Sequence, residues 1–159
     1  MNGVTLKAIR SLLHFSQHEA AELIGGVTQR NWSNWEAGAQ KIPQDVISMI
    51  NYLMACRKKA IAETQAAIKT YYQQMPADVS KKPIALVWYD NFEDWCTLPY
   101  RESIMWRPQQ SVLAHLISVE NCNIVQFDAA AYENWLGRRT DSDSMRNQWA
   151  AEQVHPPQN

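Results

Sequence analysis

"SQHEAAELIGGVTQRNWSNWEAG", running from Ser16 to Gly38, is the stretch that most restricts what this chain can fold into. Ser16 and Glu19 have the S-x-x-E spacing. The serine hydroxyl can accept the amide three residues on while the glutamate reaches back to the serine amide, so a helix is predicted to start there. Ala20, Ala21, Leu23 and Ile24 carry it to Gly25 and Gly26, which can take positive φ without steric cost and turn the chain. Thr28 is then the natural N-cap of a short helix over Gln29 to Ala37, and Gly38 its natural stop. On that helix Trp32, Trp35 and, less fully, Glu36 share a face, while Gln29, Arg30, Ser33 and Asn34 look the other way. The two tryptophans are expected to clamp the helix to its neighbours, leaving the polar side outward.

The flanks support a helical bundle. Leu6, Ile9, Leu12 and Leu13 fall at helical spacing from about Thr5 to His14. Pro43 is a favoured first helical position, and Asp45 suits the positive end of the helix dipole. No glycine or proline then interrupts the chain to Gln74. Val46, Ile50, Leu53, Ile61 and Ile68 form a stripe broken by Arg57, Lys58 and Lys59, consistent with one long helix or two in series. From about residue 57 to 74 the apolar seam is narrow, as in a connector that pairs with a partner helix or stands in solvent.

"MPADVSKKP", residues 75–83, has the composition of a linker. After it the texture changes: "IALVWYD" reads as a strand, "NFEDWCTL" as a short helix, "SIMWRP" as a short strand, "QQSVLAHLISV" as a helix, "NIVQFD" as a strand and "AAAYENWLG" as a last helix. The aromatics Trp88, Tyr89, Phe92, Trp95, Trp106, Phe127, Tyr132 and Trp135 are expected in its core and in contacts between copies. From Arg138 the chain is polar and ends near Pro-Pro, which reads as a loose tail, with "SMRNQWAAEQ" able to form a transient helix. The expected fold is α+β: an all-α bundle over 1–55, a helical connector over 56–75, a small α/β domain over 76–137 and a loose polar tail over 138–159.

The formal net charge of −1 hides an asymmetry, because residues 1–75 hold eight Lys/Arg against five Asp/Glu and residues 76–159 hold seven against eleven. Phosphate binding depends on local charge, so the first half is where a nucleic acid would bind. Cys56, Cys96 and Cys122 are scattered, with no CxxC pair, and read as buried thiols. His14, His18, His115 and His155 make no paired-ligand spacing, so no metal is expected. There is no glycine-rich phosphate loop and no nucleophile elbow. Glu93 and Asp94 lie near Cys96 without a histidine close in sequence. No catalytic residue, cofactor or small-molecule ligand is therefore indicated. No run approaches a membrane span and the N-terminus lacks a signal peptide's features, so a cytoplasmic protein is expected.

A capped helix, a glycine turn, a short two-faced helix and a proline-started helix describe a helix-turn-helix, which places the short helix in the DNA major groove with its N-terminal residues at the base edges. Arg30 can present paired donors to guanine, and Gln29 or Asn34 can match adenine's donor and acceptor. Gln17, Thr28, Asn31, Ser33 and Lys41 are the candidates for phosphate contacts. The stretch resembles the phage-repressor (Xre/Cro-like) helix-turn-helix family through its W-E-x-G ending on a Ser-Gln-started motif. That resemblance implies a structural pair between Arg10 and Glu36. "LKAIRSLL", "EAAELIG", "SNWEAG", "IPQDV" and "WRPQQSVLAHL" are similar, more narrowly, to the YdiL-like proteins and the anti-CRISPR-associated phage repressors. This implies a homodimeric repressor on an inverted repeat of double-stranded DNA, with residues 1–55 as the DNA-binding domain and 76–137 as the dimerisation domain. The competing expectation is a partner-dependent, antitoxin-like module whose second half binds another protein or a small ligand. The Gly-Gly turn and the last thirty or so residues depart from the family pattern.

Overall fold

The computed structural model describes residues 1–76 and 82–154. The predicted linker is therefore described only at its two ends, and the Pro-Pro terminus lies outside the described residues. The fold is α+β, mostly helical with one small sheet. Its elements are α1 (Gly3–Leu12), α2 (Gln17–Ala20) prolonged by a π turn (Ala21–Gly25), α3 (Gln29–Glu36), α4 (Gln44–Gln74), β1 (Ile84–Trp88), α5 (Phe92–Trp95), a 3₁₀ turn (Ser103–Met105), α6 (Trp106–Val119), β2 (Cys122–Gln126), α7 (Ala129–Leu136) and α8 (Asp143–Val154).

Two compact units divide the chain, one made of residues 1–62 and 102–112, the other of 63–101 and 113 onward. In the first, Leu6 and Leu13 of the first helix and its exit meet Phe15, Ala20, Ala21, Trp32 and Trp35, and Ile42, Val46, Ile50 and Leu53 close the core from the start of α4. Ile104 and Met105 pack against that core. Residues 102–112 thus complete the N-terminal bundle, although they follow the linker in sequence. Arg57 donates to the Ser111 hydroxyl at 2.8 Å, tying α4 to α6 inside this unit. α4 is one unbroken helix through Arg57, Lys58 and Lys59. Long unbranched side chains such as these lose little rotamer freedom in a helix, so a charge run on one need not interrupt it.

"SIMWRP" is not the short strand its sequence suggests but a 3₁₀ turn running into α6. Pro108 falls in the first turn of that helix, where a missing amide costs nothing.

In the second unit β1 and β2 pair in parallel, with Leu86 opposite Ile124. The buried β1 residues Ala85, Leu86 and Val87 point to both faces of the strand. Covering them takes the segment that reads as a loose tail. Over Asp143–Val154 that expectation fails, because α8 is an ordered helix with Arg146, Trp149 and Ala150 buried. Trp149 meets Phe127 edge-on at 5.8 Å between ring centroids. Aromatic burial of this kind, about 150–250 Å² per ring, outweighs the polar composition of the surrounding segment.

Candidate nucleic-acid interface

The candidate site is built upward from the caps of two short helices. Ser16 Oγ accepts from the Glu19 amide at 3.1 Å, and Glu19 Oε2 accepts from the Ser16 amide at 2.8 Å, completing the predicted capping box. Glu19 has a second task, since its Oε1 accepts from Arg107 Nε at 2.7 Å. Burial alone would raise its carboxyl, but the Ser16 and Arg107 hydrogen bonds together hold it below the ordinary range. The first turn of α6 therefore fixes the first turn of α2, a tie that no local spacing announces.

The two glycines of the turn do different work. Gly26 has φ of 57°, a left-handed conformation that L side chains rarely adopt. Gly25 is needed for space. A Cβ there would come within 3.0 Å of Val27, 3.1 Å of Trp35 and 3.3 Å of Trp32. The departure of this Gly-Gly turn from the broader repressor pattern is thus accounted for by the size of the two indoles packed behind it.

Thr28 caps α3 by accepting the Asn31 amide at 3.4 Å, an N-cap contribution of about 1 kcal/mol. Trp32 is wholly buried and Trp35 nearly so, and the rings meet edge-to-face with centroids 5.6 Å apart. Both rings lie in the core of the N-terminal unit. At the far end Gly3 of α1 lies so close to α3 that a Cβ would overlap the carbonyl oxygens of Trp35 and Glu36.

Glu36 is the hub of the site. Its Oε1 accepts from Arg10 Nε at 2.6 Å and from Trp32 Nε1 at 2.7 Å, and its Oε2 accepts from Gln17 Nε2 at 2.7 Å. Arg10 also donates to the Phe15 carbonyl at 2.7 Å, which secures the exit from α1. Burial would push the Glu36 carboxyl up. The donors from Arg10, Gln17 and Trp32, with the charge of Arg10, overcome this and hold it below the ordinary carboxylate range. The predicted Arg10–Glu36 pair is present, and it is completed by Trp32, one turn earlier on α3, and by Gln17, whose approach the sequence did not disclose.

Gln29, Arg30, Asn31 and Ser33 are exposed along the opposite side of α3, as is Lys41 just beyond it. Asn34 is half-buried, and its carbonyl accepts the amides of Ala39 and Gln40 at 2.9 and 3.3 Å, closing the turn after the helix. Gln17 faces Glu36 with its amide nitrogen, so one of that group's two protons is committed inside the fold. Thr28 is exposed, and its hydroxyl oxygen is engaged as the α3 cap.

With this geometry in view, sequence comparison decides the family. The sequence model of the Aca2/YdiL-like family matches residues 1–125. The chain belongs to the Aca2/YdiL-like family. An Aca2 repressor of Pectobacterium phage ZF40 is 35% identical over 115 residues, which is 72% of this chain and 90% of that relative. The Aca2/YdiL-like match takes in every residue of the Glu36 hub, the outward side of α3, and Arg107. It ends inside β2, so α7 and α8 lie beyond it. Among the described residues no helix is long and apolar enough to cross a membrane.

Proposed function

We propose that this protein is a transcriptional regulator that binds double-stranded DNA, acting in the cytoplasm as a homodimeric repressor on an inverted-repeat operator. One observation carries the reading: α3 is locked from behind by Trp32, Trp35 and the Glu36 hub, while Gln29, Arg30, Asn31 and Ser33 stand exposed on its other side. A recognition helix needs this combination of a fixed axis and a polar outer side, because bidentate base contacts demand donors held in register with the groove. In this reading Gln29, Arg30 and Asn34 address base edges. Asn31, Ser33, Thr28, Lys41 and the second amide proton of Gln17 address phosphates. One such helix covers only a few base pairs, so two copies on half-sites about one helical turn apart, or a multiple, supply useful specificity. The similarity to a phage protein named as a repressor supports the direction of regulation. The role is one of binding, with no catalytic step and no cofactor.

The test is selection of bound sequences from a pool of random duplex DNA by the purified full chain. Enrichment of an inverted repeat is the expected result. Uniform, strongly salt-dependent binding without any enriched sequence would contradict it, since that is the signature of phosphate attraction alone.

A further inference from the structure

Arg107 stands in the first turn of α6, and three neighbours within the N-terminal unit fix its guanidinium. Nε donates to Glu19 Oε1 at 2.7 Å, Nη1 donates to Gln110 Oε1 at 2.8 Å, and the group lies 3.9 Å from the centre of the Trp106 ring. Gln110 is buried, whereas 28% of the Arg107 side chain remains exposed. The arrangement leaves one nitrogen over. Among the described residues Nη2 of Arg107 has no acceptor, while Arg10, the other arginine paired with a glutamate in this unit, uses Nε, Nη1 and Nη2 inside the fold. Glu19 determines where the unused nitrogen stands. The same carboxylate accepts the Ser16 amide at 2.8 Å, so the capping box draws Arg107 to the end of α2 from which Gln17 projects.

We infer that Arg107 is a phosphate contact in the DNA complex, its Nη2 donating to a backbone oxygen next to the one that Gln17 addresses. The inference rests on the DNA binding in the proposed function and extends its footprint to a residue that follows the linker in sequence. A guanidinium carries donors on more than one edge, so it can hold a carboxylate with one and a phosphate with another. Its hydrogen bonds to phosphate are charge-assisted at both ends. Because Glu19, Gln110 and Trp106 already hold the side chain, binding orders it little further. Glu19 also offsets part of the positive charge that a phosphate would meet. That opposition separates a contact from a brace: a brace needs the Glu19 carboxylate, whereas a phosphate contact is weakened by it.

Salt titrations of DNA affinity test it, with the full chain and the variants Arg107→Gln and Glu19→Gln, on the duplex that selection enriches and on an unrelated duplex of equal length. If selection enriches nothing, the unrelated duplex alone supplies the slope. Arg107→Gln is expected to weaken both duplexes by the same factor and to lower the slope of log affinity against log salt by about two, one for each copy in a dimer. Glu19→Gln keeps the capping box, in which glutamine also serves, and removes the opposing charge. Binding should tighten in that variant, with no fall in slope. If Arg107 only braces α2, Glu19→Gln weakens binding as Arg107→Gln does and neither variant changes the slope; that result overturns the inference and leaves DNA binding in place. Should Arg107→Gln fail to fold, the sign of the Glu19→Gln effect decides. A wild type that binds neither duplex overturns this inference and the proposed function together.

Discussion

Each unit of the molecule is organised around a buried ion pair, and the two are built in opposite senses. In the N-terminal unit the centre is an acid: Glu36 gathers Arg10, Trp32 and Gln17. In the other the centre is a base. Arg146, 2% exposed, donates to Asp141 at 2.6 Å, to Thr97 Oγ1 at 2.6 Å, to the Asp94 carbonyl at 3.2 Å and to Tyr89 Oη at 3.3 Å, and its guanidinium lies 4.7 Å from the centre of the Phe127 ring. A buried carboxylate has no donor of its own, so it must be met by several converging groups from different elements. A guanidinium carries five donors and two flat faces, and can hold a helix end against loop carbonyls and aromatic rings largely by itself. The acid hub fixes the angle at which α3 stands. The basic hub recruits α8, a segment beyond the family match, to cover β1.

Breaking the hubs should separate these roles. Glu36→Ala leaves Arg10, Trp32 Nε1 and Gln17 without their acceptor, and a loss of about 3–5 kcal/mol in unfolding free energy is expected. Chemical denaturation measures it, and a change below about 1 kcal/mol would show that the hub is not organising the unit. Arg146→Ala leaves Asp141 less stranded, because that carboxylate is partly exposed. A smaller loss of about 2–3 kcal/mol is expected, with faster amide exchange confined to α8 and its neighbours and none at α3. Exchange that speeds equally in both units would contradict the separation. Gly3→Ala drives a methyl into the backbone at the end of α3, an overpacking cost of about 1–3 kcal/mol. Thermal unfolding of that variant should show it, and an unshifted midpoint would mean that α1 can retreat freely.

The pH dependence follows from the sign of the carboxyl shifts. Glu36 and Asp141 are both held below the ordinary range: burial opposes this, but Arg10, Gln17 and Trp32 prevail at the first, and Arg146 with Tyr132 at the second. A depressed carboxyl stabilises the fold fully above its unfolded value, and that contribution is lost as the pH falls through the folded one. Stability should therefore be flat near neutrality and decline in acid. Glu36→Gln, already uncharged, should show a shallower decline than the wild type in the same denaturation series. Parallel curves for the two proteins would remove Glu36 as a source of the acid sensitivity.

The legible parts of this molecule are those written in neighbouring residues. Ser16 with Glu19, Gly26, Thr28 and the Trp32–Trp35 spacing each state a local conformation, so the helix boundaries of the N-terminal half could be taken from them. The Arg10–Glu36 pair was reachable because it travels with a motif. Gln17 joining the same carboxylate was not, since that depends on where α2 crosses α3, whereas Trp32 stands one turn before Glu36 on the same helix. Arg107 meeting Glu19 is a long-range event of the same kind. The tail misled for a physical reason. Arg146 and Trp149 in a polar run look like solvated residues, and only the presence of Tyr89, Thr97, Phe127 and Asp141 around them makes burial favourable. Trp149, a large apolar ring with no reason to sit in water, was the one available signal.

Selecting bound duplexes in parallel with the wild type and with Arg30→Ala tests the central claim most directly, that the side of α3 opposite the Glu36 hub reads base edges. The predicted result is the same inverted repeat in both pools, with preference relaxed at one symmetry-related position of each half-site by about 1–3 kcal/mol, and with unfolding stability unchanged. An identical preference at every position, in a variant that folds normally, would contradict it.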